Sequence, residues 1–88
     1  GIHMYKAFFQ FGQSQSNQDI LRGDVGGGAV PALILNNDST SKAKFSLMSP
    51  FGVTFDVMVA AGDSKLVEVT TTRIVTSPAN SSVVVLSQ

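Results

Sequence analysis

Between Ala43 and Val59 the apolar side chains fall almost only on odd numbers: Ala43, Phe45 and Leu47, then Val53, Phe55, Val57 and Val59. Lys42, Lys44, Ser46, Thr54 and Asp56 hold even positions. Successive side chains of a β-strand point to opposite faces, so a period of two marks strands with one face buried. Ser49-Pro50-Phe51-Gly52 separates the two runs. Proline pre-sets φ and glycine accepts positive φ, so this segment is expected to turn the chain back into a hairpin.

The same pattern recurs along the chain. Tyr5, Ala7, Phe9 and Phe11 alternate in a first strand, with Phe8 on the other face. Residues 17–22 fit a single helical turn, since Ser16 and Asp19 have near capping-box spacing, and fit a short strand or loop equally well. Ala29–Leu35 is a continuous apolar run, as in a strand buried on both faces, and Pro31 requires an edge or bulge at its start. Further strands are expected at Lys65–Thr72, with Arg73–Thr76 continuing it or starting anew, and at Ser82–Leu86. About seven strands with turn signals every 8–12 residues predict a small antiparallel β-sandwich or Greek-key barrel, Ig-like or jelly-roll-like. The expected inner face holds Tyr5, Phe9, Phe11, Leu33, Leu35, Phe45, Leu47, Val53, Phe55, Val57, Val67 and Val69.

A length of 88 residues fits a single β domain over 5–88, with Gly1–Met4 read as a cloning remnant. A chain this short buries only ~60% of the surface its unfolded form exposes. Total stability is then about 4–13 kcal/mol. No cysteine is present to staple it.

Composition narrows the chemistry. His3 is the sole histidine and falls in the presumed remnant, so neither a Ser-His-Asp nor a Cys-His arrangement can be assembled. Ser64 and Lys65 are adjacent and would point to opposite faces of a strand. Asp19, Asp24, Asp38 and Asp63 lie in expected turns, where carboxylates bond the local backbone. Asp56 and Glu68 fall mid-strand and are the one pair that could meet across strands. No D-x-D-x-D-G calcium loop is present, and Gly26-Gly27-Gly28 lacks the Gly-Lys-Ser/Thr ending of a phosphate loop. The expectation is a non-enzyme without catalytic residues, metal or cofactor. Six Lys and Arg balance six Asp and Glu, without the basic stripe of a nucleic-acid binder. No apolar run reaches the ~18 residues of a membrane-spanning helix. Asn37-Asp38-Ser39 and Asn80-Ser81-Ser82 are glycosylation sequons, relevant only on a eukaryotic secretory path.

The surface points to association. Charged residues make up only 14% of the chain. Phe8, Ile34, Met48, Met58 and Leu66 fall on the phase opposite the core, and Val83–Leu86 is apolar on both faces. A last strand of that kind needs pairing or cover, which another subunit would supply. Phe8, Phe51, Val84 and Leu86 are therefore the candidate interaction residues. Arg22-Gly23-Asp24 joins them because it matches an integrin-binding tripeptide in a glycine-rich stretch.

This profile, over the whole chain and without a specific motif, resembles small virion proteins of bacteriophages, such as capsid-decoration or tail-associated proteins. The resemblance implies a structural protein in the virion that binds a repeating protein surface. It also implies self-association or a capsid or tail partner, with a trimer as one arrangement. The Leu33–Thr70 segment also looks like accessory or carbohydrate-binding β-sandwich modules of secreted proteins, with a sugar stacked on Phe8, Phe51 or Tyr5.

Overall fold

The structure is a computed structural model that describes residues 4–21 and 28–88. Its eight strands are β1 Lys6–Phe11, β2 Ser16–Asp19, β3 Ala32–Asn37, β4 Ala43–Met48, β5 Thr54–Val59, β6 Ser64–Val67, β7 Arg73–Thr76 and β8 Ser81–Ser87. The pairing is nested: β1 with β8, β2 with β7, β3 with β6 and β4 with β5, all antiparallel. Two further pairings, β3 with β8 and β4 with β7, complete the sheets. Sheet A therefore runs β1-β8-β3-β6 and sheet B runs β2-β7-β4-β5.

This is the strand order of a jelly roll, a long hairpin rolled into two facing four-stranded sheets. The order departs from an Ig arrangement. Among the described residues the sheets also do not close into a barrel. Both segments that the sequence left open are strands of their own: the Asn17 region is extended rather than helical as β2, and Arg73–Thr76 does not continue β6 of sheet A but forms β7 in sheet B.

Two turns show how the sequence sets this path. Gly52 N–H donates to the Ser49 carbonyl at 3.0 Å, and Ser49 N–H to the Val53 carbonyl at 2.9 Å. With Gly52 at φ 78° this is a three-residue hairpin loop ending in a left-handed residue. Asp63 N–H donates to the Ala60 carbonyl at 3.1 Å. Gly62 at φ 69° supplies the positive φ that a type II turn needs, and this turn carries the chain from sheet B to sheet A.

Leu33 and Leu35 of β3, Phe45 and Leu47 of β4, Ile74 of β7, and Val83 and Val85 of β8 are fully buried between the sheets. Phe11, Phe55 and Val57 pack at the margin. Four expected core residues lie elsewhere. Val53 precedes β5 and Val69 follows β6, outside the covered area, at 60% and 44% exposure. Phe9 sits on the edge strand β1 and is 54% exposed. Tyr5 points to the outer face of sheet A, and its hydroxyl donates to Glu68.

The last strand corrects a larger expectation. β8 is interior, with ladders to β1 and β3 on either side. Leu86 is 4% exposed, so this strand has no need of a second subunit to cover it.

Asn37 ties one end of the sandwich together. Its side chain is fully buried, and Nδ2 donates to the carbonyls of Ser41, Val59 and Ala60 at 2.9, 3.0 and 3.2 Å. Its Oδ1 accepts from Ser39 N–H and Oγ. The sequon at this position is therefore inaccessible in the folded chain.

Candidate functional site

The flank between the edge strands β1 and β2 carries an apolar strip among the described residues. β1 pairs with β8 in regular register except that Ala7 faces Leu86 and Phe9 faces Val85, which leaves Phe8 as the extra residue of a β-bulge. A bulge re-aims the side chain it carries. Phe8 and Phe9 are thus 49% and 54% exposed on consecutive positions. The Phe9 ring meets Phe11 edge-on, with centroids 4.8 Å apart and planes at 68°. That geometry aligns positive ring edge with negative ring face and holds Phe9 in place at the surface.

Two shallow grooves meet at Phe8 and Leu21. One, of 340 Å³, is lined by Phe8, Phe9, Phe11, Gln18, Ile20 and Leu21. The other, of 380 Å³, continues over Pro31, Val30, Thr70 and Leu86. The Arg73 Nε–Asp19 Oδ1 ion pair, 2.9 Å long, stands at the rim where β2 ends. Both partners are about half exposed (40% and 56%), so this pair contributes little stability and marks the polar border of the apolar strip.

The other expected interaction residues are dispersed. Phe51 stands 93% exposed at the β4–β5 hairpin tip. Val84 lies half-buried on the outer face of sheet A, in a cross-strand row with Ile34 and Leu66. Leu86 borders the second groove. Arg22, Gly23 and Asp24 lie outside the described residues, as does His3.

The pairings considered for catalysis separate. Asp56 Oδ1 accepts from Ser46 Oγ at 2.7 Å in sheet B, whereas Glu68 accepts from Tyr5 beside sheet A. Ser64 Oγ donates to Asn36, while Lys65 Nζ donates to the Met58 carbonyl at 3.2 Å. Among the described residues no three His, Cys, Asp or Glu side chains gather as metal ligands.

Ile20 and Leu21 belong to the site although the sequence placed them in an ambiguous turn. Their signal was two large aliphatics directly after a polar strand. Alternation alone assigns Phe9 to the core, where the structure leaves it 54% exposed. The Phe8-Phe9 doublet already required one of the two rings to face outward unless both faces were covered.

Comparisons with protein-family models, curated proteins and solved structures found no match.

Proposed function

We propose that this chain is a non-enzymatic assembly protein of a bacteriophage particle, a capsid-decoration or tail-associated protein that docks on a repeating protein surface. The observation that carries the reading is the aromatic flank of β1 and β2, where a bulge turns Phe8 outward beside the exposed Phe9. Apolar strips with a polar rim are the usual form of a protein-docking surface. The jelly roll adds support by analogy of fold, since viral capsid domains are among its users. A near-neutral surface with few charges also favours close apposition of protein to protein.

The test is composition of the particle. Phage particles banded from a culture of the source strain are analysed by quantitative mass spectrometry. This chain is expected at a fixed ratio to the major shell or tail protein, and Phe8→Ser is expected to lower that ratio at least tenfold. Absence of the chain from the particles overturns the reading. Saturable glycan binding abolished by Phe51→Ala would favour a carbohydrate-binding module instead.

A further inference from the structure

The turn between β4 and β5 ends in a rigid apolar tip. Gly52 N–H and Ser49 N–H bond across it to the Ser49 and Val53 carbonyls. Val53 N–H also donates to Ser49 Oγ at 3.3 Å. Phe51 is 93% exposed at the crest, with Val53 60% exposed beside it. From Ser49 to Thr54 the chain carries no charge. Turns are ordinarily built from Gly, Pro and small polar residues. Pro50 and Gly52 meet the needs of this one, and the phenyl ring between them adds nothing to it.

The groove over β1 and β2 is the counterpart of that tip. Phe8, Phe9, Phe11, Ile20 and Leu21 supply its apolar lining, around 340 Å³. That is the lower end of the roughly 300–1,000 Å³ in which proteins hold small ligands, so it suits one ring rather than an extended chain. Its walls are fixed. Phe9 leans edge-on against Phe11. Leu21 lies directly on the backbone at Gly28, where a Cβ would come within 2.9 Å of Leu21 Cδ1. Asp19, the carboxylate at the rim, is already compensated by Arg73.

Tip and groove stand at opposite edges of sheet B. Asp19, Arg73, Met48 and Thr54 form one cross-strand row. The tip that joins Met48 to Thr54 is therefore three strand spacings from β2 at its β5 side, roughly 14 Å. A chain does not fill its own groove, and the exposure of Phe51 agrees.

We propose that Phe51 of one copy inserts into the β1–β2 groove of a second copy, making a head-to-tail contact. This deepens the docking reading of that flank by naming its partner, and rests on it. Charge matches across the contact: a neutral tip enters a groove whose one rim carboxylate has its own cation, so no unpaired charge is buried. A preorganised knob meeting a preorganised hole also loses little conformational freedom on binding. Two copies with zero net charge do not repel as whole molecules. Knob and hole are different patches of one chain, so a copy that gives its tip still offers its groove. Such a contact repeats, and it closes into a ring or extends as a filament according to the rotation it imposes.

Sedimentation velocity of the purified chain, over a concentration series reaching millimolar, tests this. The parent is expected to form species larger than a monomer as concentration rises. Phe51→Ala removes the knob and leaves the groove; Phe8→Ser damages the groove and leaves the knob. Each variant alone is expected to associate at least tenfold more weakly, with the far-ultraviolet circular dichroism of the parent. An equimolar mixture of the two retains one intact knob facing one intact groove, so it is expected to form dimers and stop there. A parent that stays monomeric throughout overturns the proposal. So does self-association unchanged by Phe51→Ala, or a mixture that yields no heterodimer. Particle composition is read separately. A monomeric chain held at fixed ratio in the particles removes only the copy-to-copy contact, and a self-associating chain missing from them removes only the particle role.

Discussion

The Tyr5 hydroxyl donates to Glu68 Oε2 at 2.7 Å, from opposite edges of the same sheet. Tyr5 precedes β1 and Glu68 follows β6, with β8 and β3 between them. By register both side chains project from the outer face, and the row beneath them is Ala7, Leu86 and Ala32. Two alanines leave room for the phenol to lie across the sheet. Ala32 and Leu86 are buried on this face (0% and 4% exposed), although neither belongs to the main core.

This contact has a titration signature. The hydrogen bond to Glu68 raises the Tyr5 pKa above its usual 10.0, aided by desolvation and by the carboxylate charge. Because the folded pKa is the higher one, the stabilisation is fully present below the ordinary phenol range. It disappears as pH rises through the raised value. Tyr5 is the only tyrosine and there is no tryptophan, so tyrosinate absorbance reads it directly. The midpoint is expected above 10.0 in the parent and lower in Glu68→Gln, where the charge is gone.

Asn37→Ala should be among the most damaging single polar substitutions. It removes the side-chain bonds that hold the Ser41, Val59 and Ala60 carbonyls to β3 and takes away the acceptor of Ser39 N–H. Losing a fully buried side chain with several hydrogen bonds is expected to cost about 2–4 kcal/mol. Thermal or urea unfolding followed by circular dichroism measures it.

Two glycines should respond with opposite signs. A Cβ at Gly52 meets nothing within 4 Å, yet φ 78° makes any side chain strained there. Gly52→Ala is expected to cost about 1–2 kcal/mol. Gly12 is equally open and has no positive φ, so Gly12→Ala should be neutral or stabilising by up to about 1 kcal/mol. Chemical denaturation of the two variants in parallel decides this.

Phe45 lies in β4 and Phe51 in the turn that follows it, and the two differ completely in environment. Phe45 is fully buried and Phe51 is 93% exposed. Phe45→Ala should cost about 3–5 kcal/mol, a large part of the stability of a small sandwich. Phe51→Ala should stay within about 0.5 kcal/mol of the parent. Equilibrium unfolding of both variants provides the comparison.

The sequence disclosed the elements whose two faces differ. β4 and β5 alternate because one side meets Leu33, Leu35 and Ile74 while the other meets water, and Pro50 and Gly52 fix the turn between them. β2 was ambiguous because Ser16-Asn17-Gln18-Asp19 is polar on both sides and is held in place by its ladder to β7. Strand order is a different kind of information, since side-chain period says nothing about which neighbour a strand takes. The Val83–Leu86 run therefore reads as an exposed liability by pattern alone, and its place between β1 and β3 is what covers it. Phe9 departs from its expected core place for a related reason. Alternation gives phase, but the cover over an edge strand depends on what the opposite sheet can reach.

Lys6 and Ser87 are direct partners at one end of the β1–β8 ladder. The first and last strands therefore leave the body at a single corner, away from β5. A tether fastened at either end would depart the same way, and a short peptide bridging them would circularise the backbone without crossing a sheet. Loosening one strand also strips its neighbour of a partner, so the two ends should fray together.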